Sequence, residues 1–84
     1  MAALAEMPTI LRTGPYRVYF FSSDGREPPH VHVDRDDRMV KFWLAPLRCD
    51  QNHGFPAIEL RKIEGILKAH QPRLVGAWYD YFRR

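Results

Sequence analysis

The hydrophobic period of this chain changes once, at Pro56, and the change narrows what it can fold into. Before it, apolar and polar residues alternate in twos, as in His30-Val-His-Val-Asp34 and Met39-Val-Lys-Phe-Trp-Leu44. After it, Leu60, Ile63, Leu67 and His70, joined by Ala57 and Ile66, recur at helical spacing. Leu74, Ala77, Trp78, Tyr81 and Phe82 then repeat the pattern at i, i+3, i+4, i+7 and i+8. Alternation in twos sends successive side chains to opposite faces of a strand, whereas a period near 3.6 lines one face of a helix. Strands that precede two helices argue for an α+β class: a small antiparallel sheet of three to five strands, followed by two C-terminal helices packed on one face.

Turn residues divide the pattern further. Ile10 to Arg12 reads as a short strand ended by Thr13-Gly14-Pro15, and Tyr16 to Phe21 is rich in the β-branched and aromatic residues that strands favour. Ser22 to Pro29 reads as a loop, because Asp24-Gly25 favours a turn and Pro28-Pro29 cannot join a ladder. Asp34 to Asp37 turns the chain into a hairpin, and Leu47 to Asp50 reads as a further short strand. Asn52-His53-Gly54-Phe55 reads as a cap and turn before the first helix, where Pro56 suits the first turn. Gln71-Pro72 separates the helices. Residues 7–84 are expected as one domain, and residues 1–6, with no cap or partner pattern, as a disordered extension.

Several classes are set aside on composition. Apolar runs are short, with Phe42 to Ala45 ending at Pro46, far short of the ~20 residues that a membrane span needs. Glu6 and Pro8 interrupt the apolar start and no basic flank precedes it, so no export signal is expected. Cys49 is the one cysteine among 84 residues, which forbids an internal disulfide and fits a reducing cytoplasm; it is expected as a small core residue. Residues 1–55 hold seven acidic and seven basic side chains, so the net charge of +3 arises in the C-terminal third. Ten of the thirteen cations are arginine, the side chain best suited to phosphate or carboxylate, which favours an anionic partner.

Alternation sorts the strands into two faces. Tyr16, Val18, Phe20, Val31, Val33, Val40, Phe42 and Leu44 form a hydrocarbon face that should meet the helices. The other face mixes Arg17, Tyr19 and Phe21 with His30, His32 and Asp34, and with Met39, Lys41 and Trp43. Two short helices cover only one face, so the mixed one is expected to stand open until a second copy, a small partner protein or stacked RNA bases cover it; burial under loops is the remaining option. Arg17, Tyr19, Phe21, Trp43 and His53 are the expected nucleic-acid or partner contacts, His53 because it precedes a helix N-terminus.

His30 and His32 point the same way from one strand and can converge on one group. Cleaving RNA without a metal needs a base, an acid and a cation, and His30, His32 and Lys41 supply them, with Arg17 as a second cation. Two histidines hydrogen-bonded beside a proline turn for purely structural reasons fit the same pattern. Two ligands are too few for a metal, and Asp34 or His53 would have to complete the set; a metal-dependent site on His30 and His32 is the third and weakest alternative, and no metal or cofactor is expected. The sequence has no glycine-rich phosphate loop, GxSxG, HExxH or CxxC.

Five segments in order, Met7-Pro-Thr-Ile-Leu-Arg12, Glu27-Pro-Pro-His-Val-His-Val33, Lys41-Phe-Trp-Leu44, Asn52-His-Gly-Phe55 and Trp78-Tyr-Asp-Tyr-Phe82, resemble the domain of unknown function numbered 4160, a group of small bacterial and phage-borne proteins. Pro56 departs from its pattern, where a serine-type cap is more usual. The resemblance carries no catalytic residue. It implies a genetic setting, a pair of small proteins that looks like a toxin–antitoxin module. The resulting expectation is a cytoplasmic component of such a module, the toxin side, acting on RNA as a metal-independent ribonuclease and covered by an antitoxin-type partner. The alternative is a non-enzymatic module that binds a protein or a second copy through the same face.

Overall fold

In the computed structural model, which describes residues 6–83, five strands are followed by two helices. The strands are β1 (Thr9–Thr13), β2 (Tyr16–Tyr19), β3 (His30–Arg35), β4 (Arg38–Leu44) and β5 (Leu47–His53); the helices are α1 (Ala57–Ala69) and α2 (Gln71–Phe82). Each strand pairs antiparallel with its sequence neighbour, in the order β1-β2-β3-β4-β5. The α+β class and the two C-terminal helices are as the period change requires. No helix among the described residues is long and apolar enough to cross a membrane.

Three of the four strand connections are two-residue turns, closed by the pairs Thr13–Tyr16, Arg35–Arg38 and Leu44–Leu47. Gly14 and Asp36 each take φ near 54°, the left-handed conformation that glycine and aspartate tolerate and that matches the twist of a tight hairpin. The fourth connection, Phe20 to Pro29, contains a 3-10 turn at Asp24–Arg26.

Beyond shifts of one residue at β1, β3 and β4, two boundaries differ from the sequence reading. β2 ends at Tyr19, so Phe20 and Phe21 leave the ladder. β5 continues to His53, because a register shift opposite Lys41 and Phe42 lets it follow β4 back to Met39. Asn52 is therefore a strand residue, yet it still closes the turn: its Nδ2 donates to the Phe55 carbonyl at 2.8 Å and its Oδ1 accepts from the Phe55 N–H at 3.1 Å. Cys49 is exposed on this edge strand rather than part of the core. Residues 1–5 of the expected extension lie outside the described residues; Glu6 exchanges hydrogen bonds with Ser22 at 2.8 Å.

The hydrocarbon face meets the helices as its composition demands. Val18, Val31, Val33, Val40, Phe42 and Leu44 pack with Ile63 and Leu67 of α1 and Leu74 of α2. Truncating a fully buried leucine such as Leu67 to alanine removes about 2–5 kcal/mol. Phe20, past the end of β2, packs edge-on against Trp78 and Tyr81 and tilted against Phe82, which carries the C-terminal part of α2 over the end of the sheet. The start of α1 is tied down by Glu59, which accepts from the Tyr16 hydroxyl at 2.7 Å, Arg35 at 2.6 Å and Arg38 at 3.2 Å.

The Tyr16 and Arg35 hydrogen bonds hold the Glu59 carboxyl below its ordinary value. The folded chain therefore releases this proton more readily than the unfolded chain. Glu59's contribution is complete above the ordinary carboxylate pKa and is lost as pH falls through the depressed one. Melting temperatures of wild type and Glu59→Gln between about pH 7 and about pH 3 should show a lower value for the variant at neutral pH and a shallower loss toward acid; parallel curves would remove Glu59 from the acid response. Gly25 supplies a second test, since a Cβ there would stand 2.6 Å from Cδ1 of the packed Phe82 ring. Gly25→Ala should lower urea stability by about 1–3 kcal/mol.

Candidate functional site

The loop between β2 and β3 folds back across the mixed face and delivers one carboxylate to it. Asp24 opens the 3-10 turn, its amide donating to the Phe21 carbonyl at 3.0 Å while its Oδ2 accepts from the Phe21 N–H at 2.9 Å. This reciprocal closure is the local turn chemistry of aspartate. Gly25, bare of a side chain, lets the turn lie against Phe82.

On β3 the two-residue period sets His30 and His32 beneath that carboxylate. Nε2 of His30 lies 3.0 Å and Nε2 of His32 lies 3.2 Å from the same atom, Oδ2 of Asp24. His30 is fully buried and His32 is 8% exposed, while the Asp24 side chain is 13% exposed. The other ring nitrogen of His30, Nδ1, lies 3.0 Å from the Pro28 carbonyl and can only donate to it. Its Nε2 faces the carboxylate outside hydrogen-bonding geometry, and this atom and Nδ1 of His32 are buried without a hydrogen-bond partner.

Aromatic rings wall the cluster. His30 sits against Trp78 at 4.9 Å and Trp43 at 5.6 Å between ring centroids; His32 stacks on Tyr19 at 5.4 Å and meets the Phe21 edge at 4.9 Å. Burial lowers the His32 pKa from its ordinary value, against the opposing pull of Asp24. Burial, then the hydrogen bond to Asp34 at 2.8 Å, pushes the Tyr19 hydroxyl well above its ordinary range, so it stays protonated at neutral pH.

The expected open face is thus closed. Tyr19 is buried, and Phe21 and Trp43 are only partly exposed, because the loop lies over them and cations lie on their rings. Arg17 stands 4.5 Å from the Tyr19 centroid while donating to Thr9 Oγ1 and the Met7 carbonyl. Lys41 stands 4.4 Å from the Trp43 centroid, 2.6 Å from Glu27 and 3.5 Å from Asp50. Burial alone would lower the Lys41 pKa, but these two carboxylates outweigh it and hold the ammonium above its ordinary value.

Of the residues singled out in the sequence, His30, His32, Tyr19, Phe21 and Trp43 come together, with Lys41 opposite His32 on the neighbouring strand. His53 does not join them; it is exposed at the far end of β5, opposite Met39. Asp34, one of the residues weighed as a third ligand, is occupied by Tyr19. Asp24 takes that place, and its oxygen and one nitrogen of each histidine lie within 4.8 Å of one another. Sequence reasoning missed it because the loop lay outside every periodic pattern. The signal was present as a turn-forming Asp-Gly six residues before the first histidine.

Trp43 and Pro28 also face outward, into a depression of about 280 Å³ lined with Pro29, Ala45, Pro46 and Arg48. The depression and the histidine cluster therefore share a wall.

In comparisons with curated proteins and with solved structures, nothing matches. A family model does: that of the domain of unknown function (DUF4160), over residues 16–79, a span that takes in every strand residue from β2 to β5, both histidines, Asp24 and most of α2. The chain belongs to this family.

Proposed function

We propose that this protein is the RNA-directed, toxin-side member of a two-protein module in the cytoplasm, and that its chemistry is centred on Asp24, His30 and His32. The observation that carries the reading is the shared wall: a buried His–Asp–His cluster stands directly behind a depression that offers an indole ring and a guanidinium. A single unpaired base stacks on an aromatic ring of this kind, and an arginine beside it meets the phosphate. A volume of 280 Å³ suits one base rather than a duplex.

The phosphate role falls to Arg48, which is exposed, in place of Lys41 and Arg17, which are engaged by neighbouring groups. The exposed cations of the helices, Arg61, Lys62, Lys68 and Arg73, give an acidic partner protein or the RNA backbone a second, less specific surface. The rival reading keeps the same depression but fills it with a protein side chain, since tryptophan and arginine also dominate protein interfaces.

Incubation of the purified protein with end-labelled single-stranded RNA separates the two. Binding should weaken as salt rises; Arg48→Glu should lower affinity about tenfold and reduce the salt slope by about 1. Trp43→Ala should lower affinity about tenfold, and His32→Gln should abolish cleavage while leaving binding in place. Intact RNA at every protein concentration, together with a Trp43→Ala variant of reduced assembled mass in size-exclusion chromatography, would replace this reading with the protein-binding module.

A further inference from the structure

The geometry points to a divalent first-row transition-metal ion held by Oδ2 of Asp24, Nε2 of His30 and Nε2 of His32. This deepens the proposed function by naming what its central cluster binds. Three features of the site argue for it.

The first is the tautomer of His30. Nδ1 lies 3.0 Å from a backbone carbonyl, an acceptor, so the ring proton belongs on Nδ1 and a lone pair on Nε2. That lone pair faces a carboxylate oxygen at 3.0 Å, in a residue with no exposure. Two electron-rich atoms in a buried site repel unless a second proton on the ring or a metal ion lies between them, and the pair lies outside hydrogen-bonding geometry. A hydrogen bond from the far ring nitrogen to a backbone carbonyl fixes the tautomer and orientation of a metal-binding histidine in the usual way.

The second is spacing. An ion about 2.1 Å from each donor separates neighbouring donors by about 3.0 Å in an octahedron and about 3.4 Å in a tetrahedron. The two nitrogen–oxygen distances, 3.0 and 3.2 Å, fall within that interval. The ion would replace the hydrogen bond from His32 Nε2 to Oδ2, with the His32 ring proton moving to its unpartnered Nδ1; Oδ2 would shift outward, and Oδ1 remains to accept from the Phe21 amide.

The third is the donor set. Two imidazoles and one carboxylate suit Zn²⁺, Fe²⁺ or Mn²⁺ and are poor ligands for Mg²⁺ or Ca²⁺. Three protein ligands leave at least one position open, the arrangement of reactive rather than structural sites. The open side is set by burial: His30 is enclosed, whereas Asp24 and His32 reach the surface.

The test uses the whole chain without an affinity tag, freed of metal by chelation, with ZnCl₂ or CoCl₂ as the probe. Wild type should take up about one equivalent, develop visible d–d absorption with Co²⁺, and gain on the order of 10 °C in melting temperature at saturating Zn²⁺. MgCl₂ and CaCl₂ should do neither. Asp24→Asn, which keeps an acceptor for the Phe21 amide, and His32→Gln should each lose both responses; Cys49→Ser should keep them. Unchanged melting of wild type with Zn²⁺ would overturn the site, and so would uptake that persists in both variants. Because the readout contains no RNA, it stands or falls apart from the proposed function. RNA cleavage by the metal-free chain would leave that function in place while denying the ion a part in it.

Discussion

Oδ2 of Asp24 is where three groups meet: the Phe21 amide just past the end of β2, and both imidazoles of β3. A carboxylate in such a setting is stable only when positive or proton-bearing groups surround it, and burying those groups costs free energy in turn. The Phe21 amide and the His32 ring satisfy that one oxygen, and the loop and the aromatic walls are arranged around it. Without it, the first half of the loop would lose its tie to β3, while Glu27 on Lys41 and Pro29 on Leu44 would still hold the second half to β4.

The polar face is therefore an organised layer in its own right, opposite a hydrocarbon core. On it, each charged group is balanced locally: Lys41 by Glu27 and Asp50, Arg17 by Thr9 and the Met7 carbonyl, Asp34 by the Tyr19 hydroxyl. Local balance of this kind removes cations that a reading by charge alone would assign to a phosphate. It leaves Arg48, on the edge strand beside Trp43, as the cation of the depression.

How much of this was legible in the residues depends on whether periodicity reports it. The division between Val18, Val31, Val33 and Val40 on one face and His30 and His32 on the other follows from alternation alone, as does the pair of amphipathic helices. β5 was underestimated because Asp50, Gln51 and Asn52 carry no apolar alternation; backbone pairing with β4, not burial, makes them a strand. Cys49 was misjudged for the same reason. The cover over the mixed face was illegible because it comes from an irregular loop, whose position depends on a missing Cβ at Gly25 and a ring 57 residues later. Asp24 was visible as a turn former, and only its partners in space make it a ligand candidate.

The contact between Gly25 and Phe82 has a consequence for how the molecule comes into being. A meander in which every strand pairs with its neighbour has short loops to close, so the sheet can assemble hairpin by hairpin as the chain leaves the ribosome. The histidine cluster cannot be completed on that schedule. Its loop rests on Phe82 and its His30 ring on Trp78, both in α2, which is synthesised after every strand of the sheet. A nascent chain that has already formed its sheet would therefore still lack the packing around the cluster until α2 docks.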